Sequence, residues 1–235
     1  MTKYGKCVMR GVLVPTYNEA ENIKELIPRI RQYLPDAKII IVDDDSEDST
    51  AEIARKLDAI VFVRKGEKGL GSALRFGLLK GLELGFEYLA TMDADLSHDP
   101  IYLPKMFEEA TKADLIIGSR YIEGGKIENW PLKRRIISKG ANMLAKTLLR
   151  IDVKDNTSGY RVYSRNAIEV VKDCKNADGY EFQICAVYKV KRAGLRIVEV
   201  PITFRDRSKG KSKLGSEKIL NWFVYVLKLS LGFTS

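Results

Sequence analysis

Five aspartates fall into two tight groups, Asp43-Asp44-Asp45 and Asp93-Ala94-Asp95, each directly after an apolar run. Ser97 and His98, the single histidine of the chain, follow the second group. Carboxylate and hydroxyl oxygens are hard ligands that suit Mg²⁺ or Mn²⁺ rather than zinc. Residues two apart on an extended segment point the same way, so Asp93 and Asp95 can face one site. A divalent ion held there would bridge a diphosphate and neutralise its charge as it leaves. Asp-x-Asp alone is common by chance. An EF-hand is excluded, because the loop would need glycine where His98 stands and Glu where Pro104 stands. Three adjacent carboxylates repel one another and are costly to bury without partners, so Asp43 to Asp45 are expected to need a shared cation or ligand. Taken alone they equally fit a solvated loop, with Asp48 and Ser49 capping the next helix.

The elements that must position these groups alternate between two periods. Apolar runs at Val8–Val14 (closed by Pro15), Lys38–Val42, Ala59–Val63, Tyr88–Met92 and Asp114–Gly118 predict strands, and Leu195–Pro201 a further one. Stripes at helical spacing predict helices over 19–33, 51–57, 70–84 and 103–110 between them. Such alternation predicts an α/β fold, a doubly wound, mostly parallel sheet with helices on both faces. Ligands of such sheets bind beyond the carboxyl ends of the strands, where both acidic groups fall. Past residue 120 the alternation breaks: a basic amphipathic helix at 132–149, a loop at Asp155–Gly159, a helix at 180–193, a glycine-containing basic segment at 205–215 that reads as a mobile loop, and a last amphipathic helix. The expected division is a catalytic unit over 1–216 and a C-terminal interface helix over 217–235. Lys65-Gly-Glu-Lys-Gly-Leu-Gly-Ser72 resembles a dinucleotide fingerprint, but Leu74 occupies the third glycine position, so NAD binding is rejected and close packing of the loop is expected.

The chain has 235 residues, 45% hydrophobic and 30% charged, enough for a packed core and against wholesale disorder. Forty basic against 31 acidic side chains leave a net charge of +9, which asks for an anionic partner. Nucleic acid is disfavoured, since neither an aromatic-interleaved RNA motif nor a recognition-helix pattern accompanies the charge. Cys7, Cys174 and Cys185 are too few and scattered to predict a disulfide framework, and a reducing compartment is expected. The start of the chain lacks the apolar run of a signal peptide. The apolar stretch 219–233 would cover roughly 22 Å as a helix, short of the ~30 Å hydrocarbon core, so no spanning helix is expected.

Three segments together resemble the family 2 inverting glycosyltransferases: Val14-Pro-Thr-Tyr-Asn-Glu-Ala-Glu-Asn22, Ile41-Val-Asp-Asp-Asp-Ser46 and Met92-Asp-Ala-Asp-Leu-Ser-His98. Gly118-Ser-Arg-Tyr121, Asn156-Thr-Ser-Gly-Tyr-Arg161 and the spaced Phe204, Arg207, Gly210, Ser212, Lys213 and Leu214 are similar to its dolichyl-phosphate mannosyltransferase branch. The motifs occur in order from about Val12 to the last helix. The resemblance implies a GT-A fold and transfer of mannose from GDP-mannose to dolichyl or another polyprenyl phosphate, with inversion. It implies that Pro15, Tyr17 and Glu19 frame the nucleobase and ribose, with Val42 and Asp44 contacting the nucleoside. Asp93, Ala94 and Asp95 would meet ribose and diphosphate, with Asp95 and Ser97 as ligands of Mg²⁺ or Mn²⁺. Ser97 stands where some relatives carry Gln, a change that leaves more room for water around the metal. Arg120, Arg207 and Lys213 would contact phosphates, making Asp95, Arg120 and Arg207 the catalytic set.

A phosphate monoester is already ionised at neutral pH, so this chemistry needs no general base, and His98 is expected to be structural. What it does need is positive charge to bring two anions together, and arginine's planar fork suits phosphate oxygens. The basic, apolar-faced helix 132–149 and the C-terminal helix would let the protein lie on the cytoplasmic face of a membrane, alone or through a small membrane subunit. Each helix also reads as an ordinary core-packing element. Two alternatives stay open: the same fold using UDP-glucose, and a non-catalytic basic binding module.

Overall fold

Val12, Leu13 and Val14 are fully buried because β1 (Arg10–Thr16) runs inside a sheet covered on both faces. Successive side chains enter different cores: Leu13 packs with Ile40, Leu74 and Phe182, whereas Val12 and Val14 pack with Ile23, Ile27 and Met106. The computed structural model describes residues 8–206 and 216–233. Arg207 and Lys213 therefore lie outside the described residues, as does Cys7.

After β1 come α1 (Ala20–Tyr33), β2 (Lys38–Asp43), α2 (Thr50–Lys56), β3 (Ile60–Val63), α3 (Leu70–Glu83) and β4 (Tyr88–Thr91). A short 3₁₀ turn, Pro100–Tyr102, leads into α4 (Leu103–Ala110), β5 (Leu115–Ser119), β6 (Lys126–Glu128) and α5 (Leu132–Leu149). The chain continues through β7 (Arg161–Ser164), α6 (Arg165–Val171), α7 (Glu181–Arg192), β8 (Ile197–Pro201), β9 (Thr203–Arg205) and α8 (Ser216–Ser230). The main sheet has the order β3-β2-β1-β4-β7-β5-β8, and β6 pairs with β9 beside it.

The expected doubly wound sheet is present, with one strand that the sequence did not show. β7 lies antiparallel between β4 and β5. Arg161 and Ser164 break the apolar run, yet all four of its residues are buried, so pairing on both sides rather than local pattern makes it a strand. Pro15 does not close β1, which runs on to Thr16 with Pro15 opposite Val42. β1 and β2 stay paired as far as Thr16 and Asp43, whereas β1 and β4 stay paired only as far as Leu13 and Thr91. The two neighbours of β1 thus part at their carboxyl ends, and a crevice opens at the point where strand order reverses.

Helix α8 is half committed to the core. Trp222, Tyr225, Val226 and Leu229 are buried against it, while Leu220, Phe223, Val224 and Leu227 remain exposed. None of the described helices is long and apolar enough to cross a membrane. The cysteine expectation is corrected: Cys174 and Cys185, both buried, form a disulfide that ties the segment after α6 to α7. Counting cysteines missed it because the turn between these helices, not a sequence pattern, brings the two together, and the inference of a reducing compartment loses its basis.

Candidate active site

The first acidic group does not gather round a common cation. Asp43, fully buried, accepts hydrogen bonds from Thr16 Oγ1 at 2.8 Å, Ser46 N at 2.8 Å and Ser46 Oγ at 2.7 Å. Asp44 is paired with Arg64, whose Nε and NH2 reach Oδ1 at 2.8 and 2.6 Å, and its Oδ2 accepts from Gly69 N at 3.0 Å. Asp45 is exposed, with a positive φ of 60° that turns the loop away from the strand. Each carboxylate is thus settled separately, two by protein partners and one by solvent. Helix α2 is not capped by Ser49; Asp48 accepts from Thr50 N at 3.1 Å and from Ala20 N at 3.0 Å, joining the first two loops.

Pro15, Tyr17 and Glu19 stand half-buried at the end of β1. Lys68 donates to the Tyr17 hydroxyl at 2.9 Å and lies 4.2 Å from the ring centroid. Val42 and Ala94 are instead buried in the two apolar cores, which leaves only their backbone to meet a ligand. Of the glycines of 65–72, Gly69 and Gly71 serve close packing, though not against the sheet: a Cβ on Gly71 would sit 2.1 Å from the Ala177 carbonyl, whereas Gly66 faces open space. Gly71 N instead donates to Asp178 O at 2.8 Å, which caps α3.

The second acidic group is organised by its neighbours. Leu96 adopts a positive φ of 63°, folding the loop so that Ser97 Oγ donates to Asp95 Oδ1 at 2.5 Å and Ser97 N to the same oxygen at 3.1 Å. His98 is buried, stacked on Tyr160 at 4.9 Å and edge-on to Phe204 at 5.4 Å. Its Nδ1 accepts from Asp93 N at 3.0 Å, which requires a ring nitrogen without a proton. Burial pushes its pKa down, in keeping with a neutral, positioning imidazole.

Arg120 follows β5, and Asp155 lies in the loop before β7. Arg120 Nε and NH2 donate to the two oxygens of Asp155, both at 2.7 Å, and NH2 also donates to Thr157 Oγ1 at 2.7 Å. Burial, the largest single influence, favours both neutral forms, but the partner's charge and the hydrogen bonds together outweigh it: Asp155 is held below, and Arg120 above, the ordinary value. Trp130 carries both Arg120, at 5.1 Å, and Arg134, at 4.1 Å, against its ring.

Asp93, Asp95 and Arg120 line a cavity of about 590 Å³ whose wall is completed by α5 and α8. Lys133, Arg134 and Lys218 supply cations to that wall, and Ile137, Ile219 and Trp222 supply apolar surface. Ser97 is buried behind Asp95 and is not part of the lining. Among the described residues no three acidic, histidine or cysteine side chains converge as a complete metal cage. Two partly exposed carboxylates facing one cavity still fit Mg²⁺ or Mn²⁺, which commonly bind through one or two carboxylates plus phosphate and water oxygens. Sequence reasoning missed Arg64 and Asp155 as counter-ions, and Trp130 and Arg134 as cavity walls. A basic residue directly after β3, at the same sheet edge as Asp44, was the one usable signal for Arg64.

Residues 11–172 match glycosyl transferase family 2. The chain is 39% identical over 208 residues to the undecaprenyl-phosphate mannosyltransferase of Micrococcus luteus, covering 86% of each. It is 39% identical over 216 residues to the polyprenol monophosphomannose synthase of Mycolicibacterium smegmatis, covering 88% of this chain and 82% of that one. With the dolichol-phosphate mannosyltransferase of Pyrococcus furiosus it shares 40% over 228 residues, 93% of this chain but 63% of the relative's length. Glucosyl-3-phosphoglycerate synthase from Mycobacterium tuberculosis, solved with Mn²⁺ and uridine diphosphate, superposes with a TM-score of 0.73 at 19% identity, over 96% of this chain and 81% of that one. That likeness shows a shared GT-A type fold. On the extent of the match to its sequence pattern and the identity to three relatives, the chain belongs to glycosyl transferase family 2.

Proposed function

We propose that this protein transfers mannose from GDP-mannose to dolichyl or another polyprenyl phosphate, with inversion, at the cytoplasmic face of a membrane. The names of the three relatives support the sugar and the acceptor class. The observation that carries the reading is the cavity in which Asp93 and Asp95 share one enclosure with the basic and apolar wall of α5 and α8. An acceptor that is an anion at its head and hydrocarbon behind it needs both kinds of wall.

Asp93 and Asp95 would hold Mg²⁺ or Mn²⁺, and the ion, when bound, neutralises charge on the departing diphosphate. His98 fixes the backbone of Asp93, and Ser97 fixes the carboxylate of Asp95, so both acids are held in place before substrate arrives. Tyr17, Glu19 and Asp44 stand at the neighbouring strand ends, where the nucleoside would lie. The acceptor phosphate is its own nucleophile, and no residue has to remove a proton from it. Because Asp155 balances Arg120 and Asp206 balances Arg134, the wall cations without an ion-pair partner among the described residues are Lys133 and Lys218. Arg207 and Lys213, outside the described residues, are assigned to the phosphates by the same reading. Docking is peripheral, either directly or through a small membrane subunit.

The test is a donor screen with a short polyprenyl phosphate and Mn²⁺. Labelled mannolipid from GDP-mannose is the expected product, whereas preferential glucolipid formation from UDP-glucose overturns the donor assignment. Thermal shift with GDP against UDP gives an independent measure of the same preference.

A further inference from the structure

Gly159, in the loop before β7, lines the reaction cavity together with Asp93 and His98. Its φ is not in the left-handed region, so the backbone does not demand glycine there. A Cβ built on it would lie 3.4 Å from Asp93 Oδ1, 3.4 Å from Gln183 Nε2 and 3.8 Å from His98 Cε1, so packing does not demand glycine either. The missing side chain leaves a notch of methyl size in the cavity wall, with a carboxylate on one side and an amide on the other.

Gln183, in the first turn of α7, is 3% exposed and stands behind the cavity lining. Its Oε1 is buried with no hydrogen-bond partner among the described residues. An apolar side chain would fill the same space without that unsatisfied oxygen, so the fold does not account for the amide. The notch is held rigidly. Arg161, fully buried, donates from Nε to Ser158 O at 2.8 Å and from NH1 to Gln183 O at 2.7 Å, tying the loop to α7. Thr91 Oγ1 donates to Gly159 O at 2.9 Å, and His98 holds the backbone of Asp93. Carboxylate, amide and gap therefore keep their spacing before a ligand arrives.

A hydroxyl group matches the notch in size and in polarity, being no larger than a methyl and able both to donate and to accept. A phosphate oxygen would be repelled by Asp93, and a methyl would pair with neither side. We infer that one hydroxyl of the transferred sugar enters the notch at Gly159, donating to Asp93 Oδ1 and accepting from Gln183 Nε2, which makes Gln183 a residue that selects the sugar. The inference rests on the proposed glycosyl transfer and deepens it. Of the Asp93 carboxylate it is Oδ1 that faces the notch, which leaves Oδ2 for a cation.

The wild type, Gln183→Met and Gly159→Ala would be assayed with a short polyprenyl phosphate and Mn²⁺, using GDP-mannose and analogues of it that each lack one hydroxyl. In the wild type one analogue should lose about 10²-fold in kcat/KM, the effect of two missing hydrogen bonds, one of them to a charged group. Gln183→Met should lose about tenfold with GDP-mannose and far less with that analogue, so that the analogue's penalty shrinks. Gly159→Ala should show the same pattern, because its methyl fills the notch. Each penalty is a ratio of two donors on one enzyme, so partial loss of folded protein cancels. Unchanged penalties for every analogue in Gln183→Met overturn the inference, as does full kcat/KM of Gly159→Ala with GDP-mannose. Turnover of a UDP-sugar instead overturns the donor assignment alone, and the same cycle with deoxy analogues of that donor decides the notch. Absence of transfer from any donor overturns both.

Discussion

Arg120 and Asp155, thirty-five residues apart, meet as a two-point fork with both N–O distances at 2.7 Å and almost no exposure of either side chain. The pair joins the end of β5 to the loop before β7, and Asp155 also accepts from the backbone of Arg120 at 3.0 Å and of Ser158 at 3.1 Å. Removing the carboxylate charge leaves a buried guanidinium uncompensated. Asp155→Asn should therefore lose about 3–5 kcal/mol of stability, read by chemical denaturation. The pH dependence has a definite sign. Asp155 titrates below its unfolded value of 3.8, so its contribution is present above that value and lost as pH falls through the folded pKa. The wild type should lose its advantage over Asp155→Asn on acidification below about pH 4.

Asp95 and Ser97 are joined by a 2.5 Å hydrogen bond, with Asp95 on the cavity wall and Ser97 behind it. If Asp95 is the ligand and Ser97 its support, the two alanine variants should differ in kind. Asp95→Ala is expected to lower mannolipid formation by about 10²–10³-fold, the scale of removing a charge-stabilising group from a reacting centre. Ser97→Ala should cost about 10–100-fold and recover part of that at higher Mn²⁺ concentration. Equal losses that metal does not relieve would restore Ser97 as a direct ligand.

Arg64 is the counter-ion that spans β2, β3 and the start of α3, bonding Asp44, Ser72 Oγ at 3.0 Å and Gly69 O at 3.2 Å. Arg64→Ala removes the partner of the buried Asp44 and should destabilise the fold by about 3 kcal/mol. Lysine cannot reproduce the fork, so Arg64→Lys should fold yet raise the KM for GDP-mannose more than it lowers kcat. Steady-state kinetics on the lysine variant separate nucleoside positioning from simple loss of stability.

The Cys174–Cys185 link holds the segment whose Asp178 carbonyl caps α3 and whose Tyr180 lines the reaction cavity. Alkylation of the unfolded, unreduced protein should label Cys7 and leave the other two unmodified until reductant is added. Replacing both by alanine should cost about 2–4 kcal/mol, measured as a lowered denaturation midpoint. Labelling of all three without reductant would remove the link.

Much of the fold could be read from local pattern. The β1-to-β5 alternation, the limits of the basic helix at Leu132–Leu149 and the placement of Asp93 and Asp95 just past β4 follow from apolar period and chain order. Those signals are local because side-chain period reports the face that an element buries. Pairings between distant segments leave no such trace. The antiparallel insertion of β7, the Arg64–Asp44 and Arg120–Asp155 pairs, the disulfide, and the separate settling of Asp43, Asp44 and Asp45 were decided only when the chain closed on itself. A buried charge must find its counter-charge wherever the fold delivers one, and sequence distance does not constrain that choice.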